Sequence, residues 1–418
     1  MNPSLRILVT LAGIGSAPLA LATNGYLSHG YGVQAQGLAG TAIALPQDAL
    51  AIASNPAGIS NLGQRVDIGA TVFNPDRNAS ITDNGAGANG QYDGNGKEYF
   101  LIPEFGYIQP LVHDVTVGLA VYGNGGMNTN YKKNPYAAFG NSGSAGVNLA
   151  QIFLSPAVAW QFAEGQSLGL SANLLYQRFS ASGIQGFSDF SENSKAFSDQ
   201  QNDSSTGIGA RVGWSGQLGD KVTLGATWAS KIKATRFKKY EGLFAEQGSF
   251  DVPENYGIGI AYHPVPQLAL SADVQRIEYG DVKSVANPFS VQSLFAGNIF
   301  GSSNGVGFGW DSINVYKLGA LYQYSPALIL RAGYSHSDQP VPASQTLLNI
   351  LAPGVIQDHA SIGATWQVDQ HSELSVAYTH GFNNRVKGRN SIPANFGGGE
   401  ATLEMNQHIL ALAYGYKF

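Results

Sequence analysis

The chain closes on Ile409-Leu410-Ala411-Leu412-Ala413-Tyr414-Gly415-Tyr416-Lys417-Phe418. Leu410, Leu412, Tyr414, Tyr416 and Phe418 fall on one face, wholly apolar and ending in aromatics. The face between them carries Ala411, Ala413, Gly415 and Lys417. Alternation with a period of two predicts a β-strand whose one side meets an apolar medium.

The same alternation recurs upstream. Leu168, Leu170, Ala172, Leu174 and Tyr176 oppose Gly169, Ser171, Asn173 and Gln177. Val222, Leu224, Ala226 and Trp228 oppose Thr223, Gly225 and Thr227; Tyr316, Leu318, Ala320 and Tyr322 oppose Lys317, Gly319 and Gln323. Fourteen segments read this way: 65–76, 99–110, 114–123, 149–162, 166–181, 205–217, 221–236, 250–263, 267–280, 314–324, 327–339, 357–368, 372–387 and 402–418. Many reach the ~10 residues that a tilted membrane strand needs, against ~5–6 in an average soluble strand.

The connections decide between a soluble sandwich and a barrel. Six are tight, around Val112-His113, Glu164-Gly165, Leu218-Gly219-Asp220, Pro264-Val265-Pro266, Ser325-Pro326 and Asp369-Gln370-His371. Seven are long and alternate strictly with the short ones. Short turns on one side and long loops on the other mark an outer-membrane barrel. The expected fold is therefore all-β, a 14-stranded antiparallel transmembrane β-barrel over residues 65–418.

Composition agrees. The chain is 44 % hydrophobic but only 12 % charged, where a soluble domain carries roughly 25 % charge. Mean hydropathy is −0.07, too low for a helical membrane protein. Fifty-three glycines, 20 Tyr and 20 Phe suit strands that face lipid on one side only. A net charge of −5 without a basic block speaks against a nucleic-acid partner. Cysteine is absent, which fits an oxidising compartment without requiring one.

Residues 1–22 read as a cleaved secretory signal. Arg6 supplies the positive start, Ile7 to Ile14 the apolar stretch and Ala20-Leu21-Ala22 the cleavage site. A first transmembrane helix is the alternative, which Pro18 and the small-residue end disfavour. Residues 23–64 are Gly- and Ala-rich and lack period-two alternation. Eight strands fill a barrel with side chains and sixteen leave an aqueous channel. A fourteen-strand wall thus needs a stopper, and residues 23–64 are expected to be that plug, or hatch.

A chain-terminal strand ending in Phe resembles the closing strand of outer-membrane barrels, whose last residues are read by the assembly machinery. Gly37-Leu38-Ala39-Gly40-Thr41-Ala42, Asp48-Ala49 and Asn55-Pro56-Ala57-Gly58-Ile59 resemble the hatch of the FadL/TodX family of outer-membrane long-chain fatty acid and hydrocarbon transporters. Asp338-Gln339-Pro340-Val341-Pro342-Ala343 with Asp358-His359, and Tyr378-Thr379-His380-Gly381, resemble the family's later strands. The resemblance spans the mature chain, strong at both ends and weak in the middle. It implies a bacterial outer-membrane channel, passive and monomeric, whose partners are membrane lipid and a hydrophobic ligand, with no cofactor or metal.

Candidate site residues follow. Asn55, Pro56 and Ala57 form the hatch motif, Asn55 capping a turn or short helix and Pro56 fixing its first φ. Gly123, Asn124, Gly125 and Gly126 permit a bulge or a break in the ladder. By resemblance the third strand kinks inward there and opens the wall sideways. Phe187, Phe190, Leu243 and Phe244 belong to unusually apolar loops, as do Phe289, Leu294, Phe295 and Phe300. These loops are expected to cap the barrel, to line a ligand-capture groove, or both. Strand parity turns Arg211, Lys231, Lys233, Lys317 and Arg331 inward, and a fatty-acid carboxylate would meet one or two of them, with Arg211, Lys317 and Arg331 the chosen candidates.

Two other classes compete with the channel. A lipid hydrolase would need a Ser/His pair, for which His380 with Ser335 or Ser375 are the faint candidates. The two G-x-S-x-G matches, starting at Gly165 and Gly301, lack the strand-to-helix elbow that this chemistry requires. A general porin conflicts with a plug. Within the channel reading, monoaromatic hydrocarbons rather than fatty acids are the alternative ligands.

Overall fold

The computed structural model of the protein describes residues 24–112 and 114–418. The signal reading of residues 1–22 and His113 in the first tight turn lie outside them. Fifteen strands run β1 (Arg65–Thr82), β2 (Gly90–Asp93), β3 (Phe100–Pro110), β4 (Val115–Asn128), β5 (Gly146–Ala163), β6 (Gln166–Ser182), β7 (Asp203–Leu218), β8 (Val222–Ala229), β9 (Asn255–Val265), β10 (Leu268–Ile277), β11 (Ile313–Ser325), β12 (Leu328–Ser337), β13 (Asp358–Gln367), β14 (Ser372–Lys387) and β15 (Glu400–Lys417).

Each barrel strand pairs antiparallel with its sequence neighbours. The closing strand runs beside β1 from Arg65↔Lys417 to Thr82↔Glu400. That pairing closes the sheet into a barrel, the arrangement that lets strands cross a membrane with their backbone groups paired. The four-residue β2 only flanks the upper end of β1, so fourteen strands form the wall. Among the described residues no helix is long and apolar enough to cross a membrane.

Each of the fourteen wall strands presents its apolar face outward. Ile68, Leu170, Tyr176, Ile258, Leu318, Ile362 and Leu412 are exposed around the whole circumference. The six short connections lie at one end and the long ones, such as 183–202, 230–254 and 278–312, at the other. The long-loop end is the extracellular one.

Two expectations need correction. The seventh wall strand, β8, stops at Ala229 instead of continuing to residue 236. Beyond it the chain keeps only single bridges, Ile232↔Val252 and Gly207↔Ala234, as it folds into the cap. Parity therefore fails for Lys231 and Lys233. Lys231 reaches Asp251 in the loops at 3.4 Å, and Lys233 is exposed. The third wall strand, conversely, does not end at Gly123 but runs on to Asn128.

Apolar loop residues close the extracellular end. Phe187, Phe197, Phe244, Phe289, Phe300 and Trp310 join one buried cluster. Phe295 departs from the expectation that the apolar loop residues all find packing, because it is 79 % exposed.

Candidate functional site

Residues 24–64 fill the lumen. They hold one helical turn, Val33–Gln36, and two 3-10 helices, Ala49–Ala53 and Pro56–Asn61. Asn55 caps the last of these: its side-chain oxygen accepts from Ala57 N, and Pro56 occupies the first position. Its amide nitrogen donates to Ile43 O at 2.7 Å and to Trp214 O at 2.9 Å. One side chain thus shapes the hatch turn and ties it to β7. The wall must come close for this, and Gly213 permits it: a Cβ there would sit 1.9 Å from Asn55 Oδ1. Asp48 caps the other 3-10 helix through Leu50 N, 2.9 Å away. Burial, with Asp67 and Glu104 nearby, pushes its carboxyl well above the usual range.

Charged side chains of the wall hold the hatch by its backbone. Glu104 accepts from Gly32 N at 3.2 Å and Val33 N at 3.0 Å. Asp273 accepts from Ala42 N at 2.8 Å and Ile43 N at 3.1 Å. Asp67 accepts from Ala49 N at 2.9 Å. The three candidate cations have hatch partners too. Arg211 donates to Ser54 O at 3.2 Å, Lys317 to His29 O at 3.0 Å, and Arg331 to Gln34 Oε1 at 2.7 Å. All three are buried in the lumen, as parity implies, but each already serves the plug. Hydrogen bonds with one charged partner are about twice as strong as neutral ones, so the hatch is docked by a ring of them.

The glycine run of β4 marks a break in the wall. On one side β3 pairs with β1 from Phe100 to Ile108. On the other it pairs with β4 only from Phe105 to Pro110. Residues 100–104 therefore face a gap. Past Val121, β4 keeps β5 as its partner through a bulge between Gly123 and Gly125. Its upper half turns into the lumen and bonds to the hatch: Gly126 N donates to Tyr26 O at 2.9 Å, and Ser28 N to Asn124 O at 3.0 Å. A Cβ on Gly125 would lie 2.2 Å from Tyr26 O, so a side chain there would force hatch and strand apart. Asn124 also accepts from Tyr31 OH at 2.9 Å and donates to Gln151 at 3.0 Å.

Three small cavities run from cap to gap. The first, about 40 Å3, lies in the cap and is lined by apolar side chains, Phe187, Leu243 and Phe244 among them, with Ser284 the polar exception. Phe190 lies off it and packs near Phe396, ring centroids 6.1 Å apart. The second, about 30 Å3, sits in the lumen beside Arg211, Asp273 and Lys317. The third, about 20 Å3, lies behind the gap, between Ile102 and Glu104 on β3 and Tyr122 and Gly123 on β4. Hatch residues Ser28, Gly30 and Tyr31 border both lower cavities and separate them. Above them Tyr26 is wedged among Phe250, Tyr279 and Trp310, with centroids 5.7, 5.1 and 6.0 Å away.

The proposed Ser/His pairings do not form. His380 lies on the outer face of β14 against Phe382, 5.0 Å away, and His408, 4.8 Å away. Ser335 instead lies 3.4 Å from His359 Nδ1, whose other nitrogen faces the Gln407 amide at 2.8 Å. Among the described residues no carboxylate hydrogen-bonds to that imidazole, so the pair lacks the third member of an activated nucleophile.

A plugged barrel with a gap beside a glycine-rich strand calls for comparison. The model of one protein family, outer membrane transport proteins of the OMPP1/FadL/TodX type, matches residues 19–418. The chain belongs to this family. A candidate outer membrane protein of Neisseria meningitidis serogroup B is 24 % identical to this FadL/TodX-type chain over 478 aligned positions, 100 % of each. The toluene transporter TodX of P. putida superposes with a TM-score of 0.67 at 16 % identity, covering 93 % of this chain and 99 % of that one. A FadL homologue of Pseudomonas aeruginosa gives 0.68 at 16 %, covering 96 % and 100 %. Membership makes this protein an outer-membrane transporter of hydrophobic compounds.

Sequence reasoning missed Glu104, Asp273, Tyr26 and Tyr279. The two acids carried a signal: both are inward by strand parity in a charge-poor chain. The two tyrosines carried none, because their importance lies in a contact across 253 residues of sequence.

Proposed function

We propose that the protein passes long-chain fatty acids or comparable apolar compounds from the cell exterior to the outer-membrane bilayer by diffusion. The ligand is captured in the apolar cap cavity. It displaces Tyr26 and the Ser28–Tyr31 segment, crosses the lumen and leaves sideways between β3 and β4. The observation that carries this reading is the stretch at residues 100–104, which pairs with β1 but has no partner on its β4 side, with a cavity behind it. An apolar chain gains ~0.8 kcal/mol per CH2 on reaching lipid, so a sideways exit is downhill and avoids the aqueous periplasm. No energy-coupling motif is evident in the sequence.

A second reading, an uncharged hydrocarbon as ligand, is favoured by one observation. Arg211, Lys317 and Arg331 all have hatch partners. A carboxylate would have to compete with the plug for them; a hydrocarbon would not. The competition could itself loosen the hatch, which keeps the fatty acid as the first reading.

The test replaces Gly123, Gly125 and Gly126 together with Val or Thr, residues that favour regular pairing. Uptake of a radiolabelled long-chain fatty acid and of an alkane of equal length is measured in expressing cells, normalised to surface protein. Uptake should fall to the level of non-expressing cells, while ligand capture by the cap persists. Unchanged uptake with a demonstrably straight strand would redirect the path into the periplasm. Transport of the alkane alone by the unmodified protein would select the hydrocarbon reading.

A further inference from the structure

On the outer surface, above the lipid-facing belt, the sheet formed by β14, β15, β1 and β2 carries a polar groove of about 150 Å3. It belongs to none of the transport cavities. Its position follows from the register of β15. Leu410 is the last exposed aliphatic residue before His408, and from there upward the outward residues are polar: His408, Asn406, Glu404 and Thr402. At 3.4 Å per residue and a tilt near 45°, Glu404 stands roughly 14 Å above Leu410. That is beyond the acyl chains and at the level of lipid headgroups.

The groove is built from basic, neutral polar and acidic side chains. Arg385 and Lys387 line one flank, on alternate residues of β14, and Arg389 continues the alternation just beyond the strand. Asn78, Ser80, Gln91 and Thr402 supply neutral hydroxyls and amides. The carboxylate within the groove, Glu404, is taken up by Arg385 and by Asn383, whose amide donates at 3.0 Å. Asp76, at the groove's edge, accepts from Asn78, Asn95 and Asn406. Among the described residues Lys387 forms no ion pair, and the side chains of Ser80, Gln91 and Thr402 make no hydrogen bond within the protein.

We propose that this groove binds the phosphorylated saccharide headgroup of an outer-leaflet glycolipid. The neutral amides and hydroxyls match sugar hydroxyls, and Lys387 with Arg389 matches a phosphate. Continuity with the belt selects a membrane lipid over a soluble ligand. Its acyl chains would lie on Phe382, Tyr378 and Leu410, exposed directly below on β14 and β15.

The test uses the full chain in nanodiscs of zwitterionic phospholipid, titrated with bisphosphorylated lipid A and followed by native mass spectrometry. The unmodified protein should retain the lipid. Lys387→Ala should weaken retention about fivefold, the worth of one basic residue near an anionic headgroup, and Lys387→Arg should restore it. Lys132→Ala, which removes an exposed cation from another extracellular loop, should change nothing. Equal retention by the unmodified protein and Lys387→Ala overturns the proposal, as does equal retention of dephosphorylated lipid A. Competition by inorganic phosphate alone at the same concentration would also overturn it, since the ligand would then be a free anion. None of these outcomes depends on transport.

Discussion

Asn55 shows how much one side chain can carry. It caps a 3-10 turn and bonds two carbonyls, one in the hatch and one in the wall. Replacing it with Ala removes a cap worth ~1 kcal/mol and leaves Ile43 O and Trp214 O without that donor. Asn55→Ala should raise small-solute leakage in liposomes while heat-modifiable gel mobility stays that of a folded barrel. Leakage equal to the unmodified protein would detach Asn55 from hatch docking. Phe418 acts at the other end of the chain. Its ring meets Tyr416 at 5.0 Å and Tyr107 at 6.5 Å, and its amide donates to Gln64 O at 3.1 Å. Deleting it should lower outer-membrane yield, measured by fractionation and immunoblot, without changing uptake per surviving molecule. Normal yield would remove it from the assembly signal.

At the scale of elements, β4 behaves as two half-strands with different partners. Its lower half has β3 and β5 beside it, and its upper half has β5 and the hatch. The glycines were legible in the sequence as a place where a ladder can break. The direction of the turn was not, because it depends on Tyr26 and Ser28 arriving from a segment about 100 residues away. Removing residues 23–64 takes away the acceptor of Gly126 N. Amide exchange at Gly126 should then accelerate, while that of Leu119 and Val121 in the lower half stays slow. Equal protection along β4 would show that the wall holds the bend without the hatch.

Across the whole molecule the plug is the less stable part. The barrel closes on itself through an 18-pair ladder between β1 and β15, and the hatch is attached by caps and charge-assisted hydrogen bonds. Deleting residues 23–64 should therefore leave a folded barrel with raised small-solute permeability in liposomes. Unchanged permeability would mean that the loops alone seal the lumen. The cap could do so, since its aromatics form one buried cluster. On the proposed path, ligand entry then requires the cap to open.

The sequence by itself determined the barrel. Period-two alternation, strand length and the sorting of short and long connections are local properties, and each is repeated around the wall. Fourteen strands and a preceding plug could be read from them directly. The parity argument also turned Arg211, Lys317 and Arg331 inward. It failed for Lys231 and Lys233, where β8 gives way to a loop that nothing in the alternation announces. What the inward cations touch, which way β4 bends and where the cap cavity lies were decided only in three dimensions. These depend on segments far apart in the chain being brought within hydrogen-bond distance, such as Lys317 and His29 across 288 residues. A repeating pattern specifies which face a residue occupies. It carries no information about the partner waiting on that face.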